Sequence, residues 1–143
     1  MIPDDLIAKI ERQLGEVHRK NCAEVAQALL VLNVDPKSEF GEFFFNYVVT
    51  CYRRPVSSSE LCDLLLPTPE IHQATQFIRD VWGLPDRYVC FSSLQGEGCY
   101  LYDRNTGCVF DFDLAELEYL LQERLSPRWG TFFEFMDWYL TDD

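Results

Sequence analysis

The sequence predicts an α+β fold: a small antiparallel β-sheet, formed by a central meander, with helices packed on one side of it. Two observations carry this. Residues Gly83 to Asp113 hold three short runs rich in aromatic and β-branched residues, separated by two glycine-bearing turns, Gln95-Gly96-Glu97-Gly98 and Asp103-Arg104-Asn105-Thr106-Gly107. That is the pattern of a three-stranded meander. On either side of it, apolar residues recur at helical rather than strand period. Residues 1–143 read as one domain, with no repeat beyond the hairpins, no low-complexity segment and no linker.

The elements follow in order. Pro3 with Asp4 and Asp5 opens a helix, since proline suits the first helical position and acids suit the positive end of the dipole. Its stripe is Leu6, Ile7, Ile10, Leu14 and Val17, weakened at Gly15. Asn21 with Glu24 caps a second helix showing Cys22, Val25, Ala26, Leu29 and Leu30 on one side, stopped by Asp35-Pro36. Ser38 opens a third with Phe40, Phe43, Phe44 and Tyr47 at i, i+3, i+4 and i+7, a spacing that reads as core packing. Val48–Tyr52 fits a short strand or a helix tail. Ser57 to Glu60 reads as a turn and a capping box for a short Leu61–Leu66 segment. After the Pro67-Thr68-Pro69 break comes a helix with the stripe Ile71, Ala74, Ile78, Val81 and Trp82, ended by Gly83.

The strands fall at Tyr88–Ser92, Cys99–Tyr102 and Cys108–Phe112. In the third, Cys108, Phe110 and Phe112 alternate with Val109, Asp111 and Asp113, which predicts one sheet face on helices and one face wet. Asp113 with Glu116 caps a helix carrying Leu114, Leu117, Leu120 and Leu121. Thr131 with Glu134 forms a capping box for a last helix with Phe132, Phe135, Met136 and Tyr139.

Hydrophobic residues make up 48% of the chain and aromatics 15%, so core material is plentiful. The net charge of −12 is concentrated toward one end: residues 83–143 carry twelve acids against four bases. Such a field repels nucleic acid and anionic membranes and favours a basic partner; as a bland alternative, it simply keeps the protein soluble. The six cysteines contain no C-x-x-C pair, which argues against a zinc ribbon. Met1-Ile2-Pro3-Asp4-Asp5 has neither a basic start nor an apolar run, so the expected compartment is reducing and cytoplasmic, with the cysteines acting as small hydrophobes. No apolar run approaches the ~20 residues of a membrane span.

Three segments together resemble the SUKH superfamily, which includes bacterial immunity proteins against secreted toxins and fungal cell-wall-synthesis regulators. They are Leu32-Asn33-Val34-Asp35-Pro36 leading into the aromatic helix Phe40–Tyr47, the meander from Leu84-Pro85-Asp86-Arg87-Tyr88 to Asp111-Phe112-Asp113, and Ser126 to Leu140 with Trp129 and Phe132-Phe133-Glu134-Phe135. Two features differ: the family's common Asn-Gly-Gly after the early helix is missing, and the Thr68–Trp82 helix is a larger insert. The resemblance implies a non-catalytic protein-binding domain, an immunity protein that neutralises a cognate toxin. Toxins of this kind are often basic nucleases or deaminases.

No catalytic set is legible. His18 and His72, the two histidines, lie outside any nucleophile motif and read as solvated helix-surface residues. Asp111 and Asp113, with Asp103 and Glu97 in nearby turns, fit an oxygen-ligand cation site or a small carboxylate-dependent hydrolase, but fit better as acids on a wet strand face. Gly96-Glu97-Gly98 lacks the sequel and strand-to-helix context of a phosphate cradle. The basic pairs Arg19-Lys20 and Arg53-Arg54 are too small to favour nucleic acid. No cofactor and no metal are expected. The expected partner-binding set combines meander turns, wet strand face and following helix: Glu97, Tyr100, Tyr102, Asp103, Asp111, Glu116 and Glu118, with Tyr119 as a further anchor. A regulatory or scaffold module without a toxin partner is the alternative function.

Overall fold

A computed structural model describes the chain apart from residues 21, 51, 53–58, 66, 67, 95, 142 and 143. The predicted caps at Asn21 and at Ser57-Ser58, and the pair Arg53-Arg54, lie outside the described residues. The element order is α1 (Asp4–Glu11), α2 (Cys22–Leu32), α3 (Glu39–Asn46), α4 (Glu70–Asp80), β1 (Tyr88–Cys90), β2 (Gly98–Asp103), β3 (Val109–Asp113), a 3₁₀ turn (Leu114–Glu116), α5 (Leu117–Leu121) and α6 (Phe132–Tyr139). The fold is α+β, and the sheet is the antiparallel meander β1-β2-β3, with Val89 opposite Tyr102 and Leu101 opposite Phe110.

Helix ends form where the sequence supplies the chemistry for them. The Ser38 hydroxyl accepts from the Gly41 amide, Asp113 and Glu116 form a reciprocal capping box, and the Thr131 hydroxyl accepts from the Glu134 amide. The Glu134 carboxylate does not return to Thr131; it accepts instead from the Gly130 amide, one residue earlier. Just after α4, Gly83 takes φ +74°, where a glycine is favoured, and the Leu84 N–H bonds back to the Ile78 carbonyl.

The packing corrects the expectation of helices on one side only. Tyr100, Tyr102, Val89 and Val109 pack with Phe40, Phe43, Phe132, Phe135 and Met136 in one core cluster; Tyr88, Cys90, Cys99, Leu101, Phe110 and Phe112 pack with Ile78, Leu84 and Leu120 in a second. The second sheet face is therefore covered by α4 and α5, and β2 is buried along nearly its whole length. Four successive apolar or aromatic residues, Cys99 to Tyr102, cannot present a wet face when both sides have helices to meet. In the first cluster the rings of Phe40 and Tyr102 stack at 4.8 Å, and Phe132 meets Phe40 edge-on at 5.1 Å. Such pairs add about 0.5–1.5 kcal/mol each beyond area burial.

Two further expectations change. In α2 the buried residues are Val25, Ala28, Leu29 and Leu32, whereas Leu30 and Val31 are exposed, because the inward stripe follows i, i+3, i+4, i+7 from Val25. The segment after Glu60 does not become a helix: Leu61 bridges Ser92 and Cys62 N–H bonds to the Phe91 carbonyl, so it runs beside the β1 end of the sheet.

One buried ion pair joins these layers. The Arg19 guanidinium donates to both Asp63 carboxylate oxygens, at 2.7 and 3.1 Å, and to the carbonyls of Phe44 and Tyr47, each at 3.0 Å. Asp63 also accepts from the Val49 and Leu65 amides. Both side chains are almost wholly buried, at 2% and 0% exposure. Arg19 is thus a structural residue and not half of a surface basic pair.

Two predictions follow from this packing. Asp63→Asn leaves a buried guanidinium with its charge uncompensated and is expected to cost about 3–5 kcal/mol, measured by urea unfolding; a loss below ~1 kcal/mol would show that the pair does not hold the layers together. At Gly41 an added Cβ would lie 2.6 Å from the Pro36 carbonyl oxygen and 2.8 Å from that of Asp35. Gly41→Ala should therefore lower stability by about 1–3 kcal/mol despite its better helix propensity, and a variant as stable as the parent would refute the clash.

Candidate docking face

The expected binding set divides in two. Tyr100 and Tyr102 are buried in the first core cluster, where Tyr100 meets Phe135 at 4.8 Å between ring centroids. Asp103 is 1% exposed. Its carboxylate accepts from Arg87 Nη2 at 2.6 Å and Nε at 3.1 Å, and from the Asn105 amide at 3.0 Å, closing the β2–β3 turn in which Gly107 takes φ +81°. These bonds raise the Arg87 guanidinium pKa further above its usual value, with hydrogen bonding to Asp103 the largest cause. The three residues therefore hold the fold and present nothing to a partner. Alternation on β2 could have assigned Tyr100 and Tyr102 to one face; the packing of α3 and α6 against it decides that this face is covered.

The remaining four are at the surface. Glu97, Asp111 and Glu118 are exposed, Glu116 is half-buried, and exposed Asp113 lies among them. Register gathers them: Asp113 is opposite Gly98, Asp111 is opposite Tyr100, and the Leu114 amide bonds to the Glu97 carbonyl. They form an acidic rim where β2 begins, β3 ends and α5 starts. Asp113 and Glu116 are partly committed to the capping box, with Asp113 Oδ1 accepting from the Ala115 amide and Glu116 Oε1 from the Asp113 amide. Asp111 pairs with Arg128 at 3.0 Å, both half exposed, while the guanidinium lies 4.6 Å from the ring centroids of Trp129 and Trp138. The Glu97 and Glu118 carboxylates have no ion pair or hydrogen bond among the described residues. Next to Glu118, Tyr119 is exposed, as is Leu121.

The other chemically notable groups serve the fold. His18 is not helical; it bridges Tyr47 and lies 3.4 Å from Glu11. His72 is half-buried rather than solvated, its Nε2 donating to the Ala28 carbonyl and tying α4 to α2. Burial first, and then the neighbouring Glu70, push the Cys62 thiol well above its usual pKa, so it is a poor nucleophile near neutral pH. Contact with Cys90, reinforced by burial, pushes Cys99 up likewise. A groove of about 550 Å³ lies where α1, α3 and α6 begin, lined by Asp5, Glu39, Glu42, Glu134 and Asp137. Glu39 accepts from the Phe133 amide, and Asp137 pairs with Lys9 at 2.7 Å, so these acids compensate helix ends and a lysine. Among the described residues no three His, Cys, Asp or Glu side chains stand together as a metal site, and no helix is long and apolar enough to cross a membrane.

Compared with known proteins, the chain matches no protein-family model, no curated protein and no solved structure.

The division of the acidic set is itself testable. Asp103→Asn should lower stability by about 1–3 kcal/mol, since it weakens a buried acceptor of three hydrogen bonds, whereas Glu97→Lys should stay within ~0.5 kcal/mol of the parent. Thermal or urea unfolding of the two variants gives the comparison, and equal effects would erase the distinction between fold-holding and free acids.

Proposed function

We propose that this protein is a non-catalytic binding module whose acidic rim receives a basic protein, in the manner of an immunity protein that neutralises a cognate toxin. The observation that carries the reading is the pair of uncommitted carboxylates, Glu97 and Glu118, standing with Asp111 and the cap acids beside exposed Tyr119 and Leu121. Asp103, Asp111 and Glu123 have partners, whereas Glu97 and Glu118 have none among the described residues, and like charges gathered at one end of a sheet repel each other until a cation arrives. Steered association with a basic surface lowers that repulsion, and Tyr119 supplies area at small entropic cost. The toxin partner comes from the resemblance of the meander and its flanking aromatic helices to SUKH domains. Asp111 is unsuited to the carboxylate-hydrolase alternative, because Arg128 occupies it and Asp113 is engaged in the cap.

The test is capture from host cells with the parent protein and with the variant Glu97→Lys, Asp111→Lys, Glu118→Lys, which spares the capping box and Asp103. A basic protein retained by the parent is expected to bind the variant at least about tenfold more weakly, equivalent to ~1.4 kcal/mol, and to be harmful to cells unless the parent is co-expressed. Unchanged affinity in a folded variant would remove the rim from the interface. A captured partner without toxicity would replace immunity with a scaffold role.

A further inference from the structure

Helix α2 is apolar on both of its sides. All eleven of its residues except Glu24 and Gln27 are apolar, yet only Val25, Ala28, Leu29 and Leu32 are buried. A helix that is apolar all round belongs in an interior. Here the outer side is open: Leu30 is 70% and Val31 63% exposed, and Ala23, Ala26 and Gln27 are exposed with them. The helix is held in this orientation from within, since His72 donates to the Ala28 carbonyl and Arg104 to the Leu32 carbonyl.

The spacing of the open residues points to what covers them. Ala23, Ala26, Gln27 and Leu30 stand at i, i+3, i+4 and i+7, the four positions that frame a hole for a side chain of a facing helix. An alanine lies at one end of this row and a leucine at the other. When two copies of the helix meet antiparallel about a two-fold axis between Ala26 and Gln27, Leu30 of each falls on Ala23 of the other, large on small at both ends. A two-fold interface must be self-complementary, and this row is. The same order sets the acidic first turn of each helix, with Glu24, beside the carbonyl end of the other. Charge permits the meeting here. Two copies at −12 each repel, but residues 1–37 hold six acids against five bases, and the row itself is uncharged.

We propose that the outer face of α2 is the contact between two copies of this chain in a reversible antiparallel dimer. The inference is independent of the acidic-rim reading. A strip about 16 Å long and 10 Å wide is much smaller than the roughly 800 Å² per partner of a standard stable interface. The dimer therefore forms at micromolar rather than nanomolar chain concentrations.

Sedimentation of the full chain over a concentration series tests it. The parent should show a monomer–dimer equilibrium that strengthens as salt is raised, because screening weakens the repulsion between copies and leaves the apolar contact. Leu30→Gln should weaken the dimer at least about tenfold. The pair Ala23→Leu, Leu30→Ala, which exchanges the large and small ends, should restore it. Both positions are exposed, and circular dichroism verifies the fold of each variant; Val31→Ser, at the flank of the row, gives a second reading with a smaller loss. A parent that stays monomeric at millimolar concentration, or a dimer indifferent to Leu30→Gln, overturns the proposal. A dimer that weakens in salt would be held by charged groups and overturns it too, as does one dissolved by Val81→Ser, at the exposed end of α4. Failure of the exchanged pair to restore association overturns the antiparallel arrangement.

Discussion

The buried fork between Arg19 and Asp63 is the constraint on which the other layers depend. A helix end leaves carbonyls without partners, and at the end of α3 those of Phe44, Asn46 and Tyr47 are met by the Arg19 side chain and its own amide. Asp63, at the other end of the fork, fixes the amides of Val49 and Leu65, and its segment is stitched to Ser92 and Phe91 at the sheet. One ion pair thus sets the distance between the aromatic helix and the sheet edge. Isolated burial of either charge would be prohibitive; four of the five guanidinium N–H directions are occupied by described acceptors, which offsets the desolvation. The rings of Phe40, Phe43 and Phe44 then pack in a space whose width is already determined.

How much of this was legible depends on the range of the interaction. Caps and turns are local, and Ser38, Asp113, Thr131, Gly83 and Gly107 could be read from their neighbours in the chain. The meander was equally local, its strands differing from expectation by a residue or two at their ends. The Arg19–Asp63 pair spans 44 positions and has no sequence signature, since each residue taken alone resembles a surface charge. The second covered face was closer to hand. Cys99-Tyr100-Leu101-Tyr102 offers no polar residue to water, and that run outweighs the alternation of Asp111 and Asp113, which marks only the exposed end of β3.

The same distinction governs the docking face. Asp103 looked like a turn acid, yet its partner Arg87 lies across the β1–β2 register, where Tyr88 faces Asp103, and that pairing buries it. Glu97 and Glu118 looked no different in sequence. They are distinguished by what fails to reach them: Arg87 is spent on Asp103 and Glu123, Arg128 on Asp111 and two indoles. Of the four bases among residues 83–143, Arg87 and Arg128 are paired with acids, and Arg104 donates to the Leu32 carbonyl.

Net charge is therefore a poor guide to this surface, and its local remainder a better one. Acids that cap helices or pair with arginines contribute to the −12 without being available to a partner. At the rim, Glu97 and Glu118 remain, with exposed Tyr119 and Leu121 following Glu118. A carboxylate surplus alone gives speed and salt sensitivity to an encounter but little selectivity, because any basic surface satisfies it.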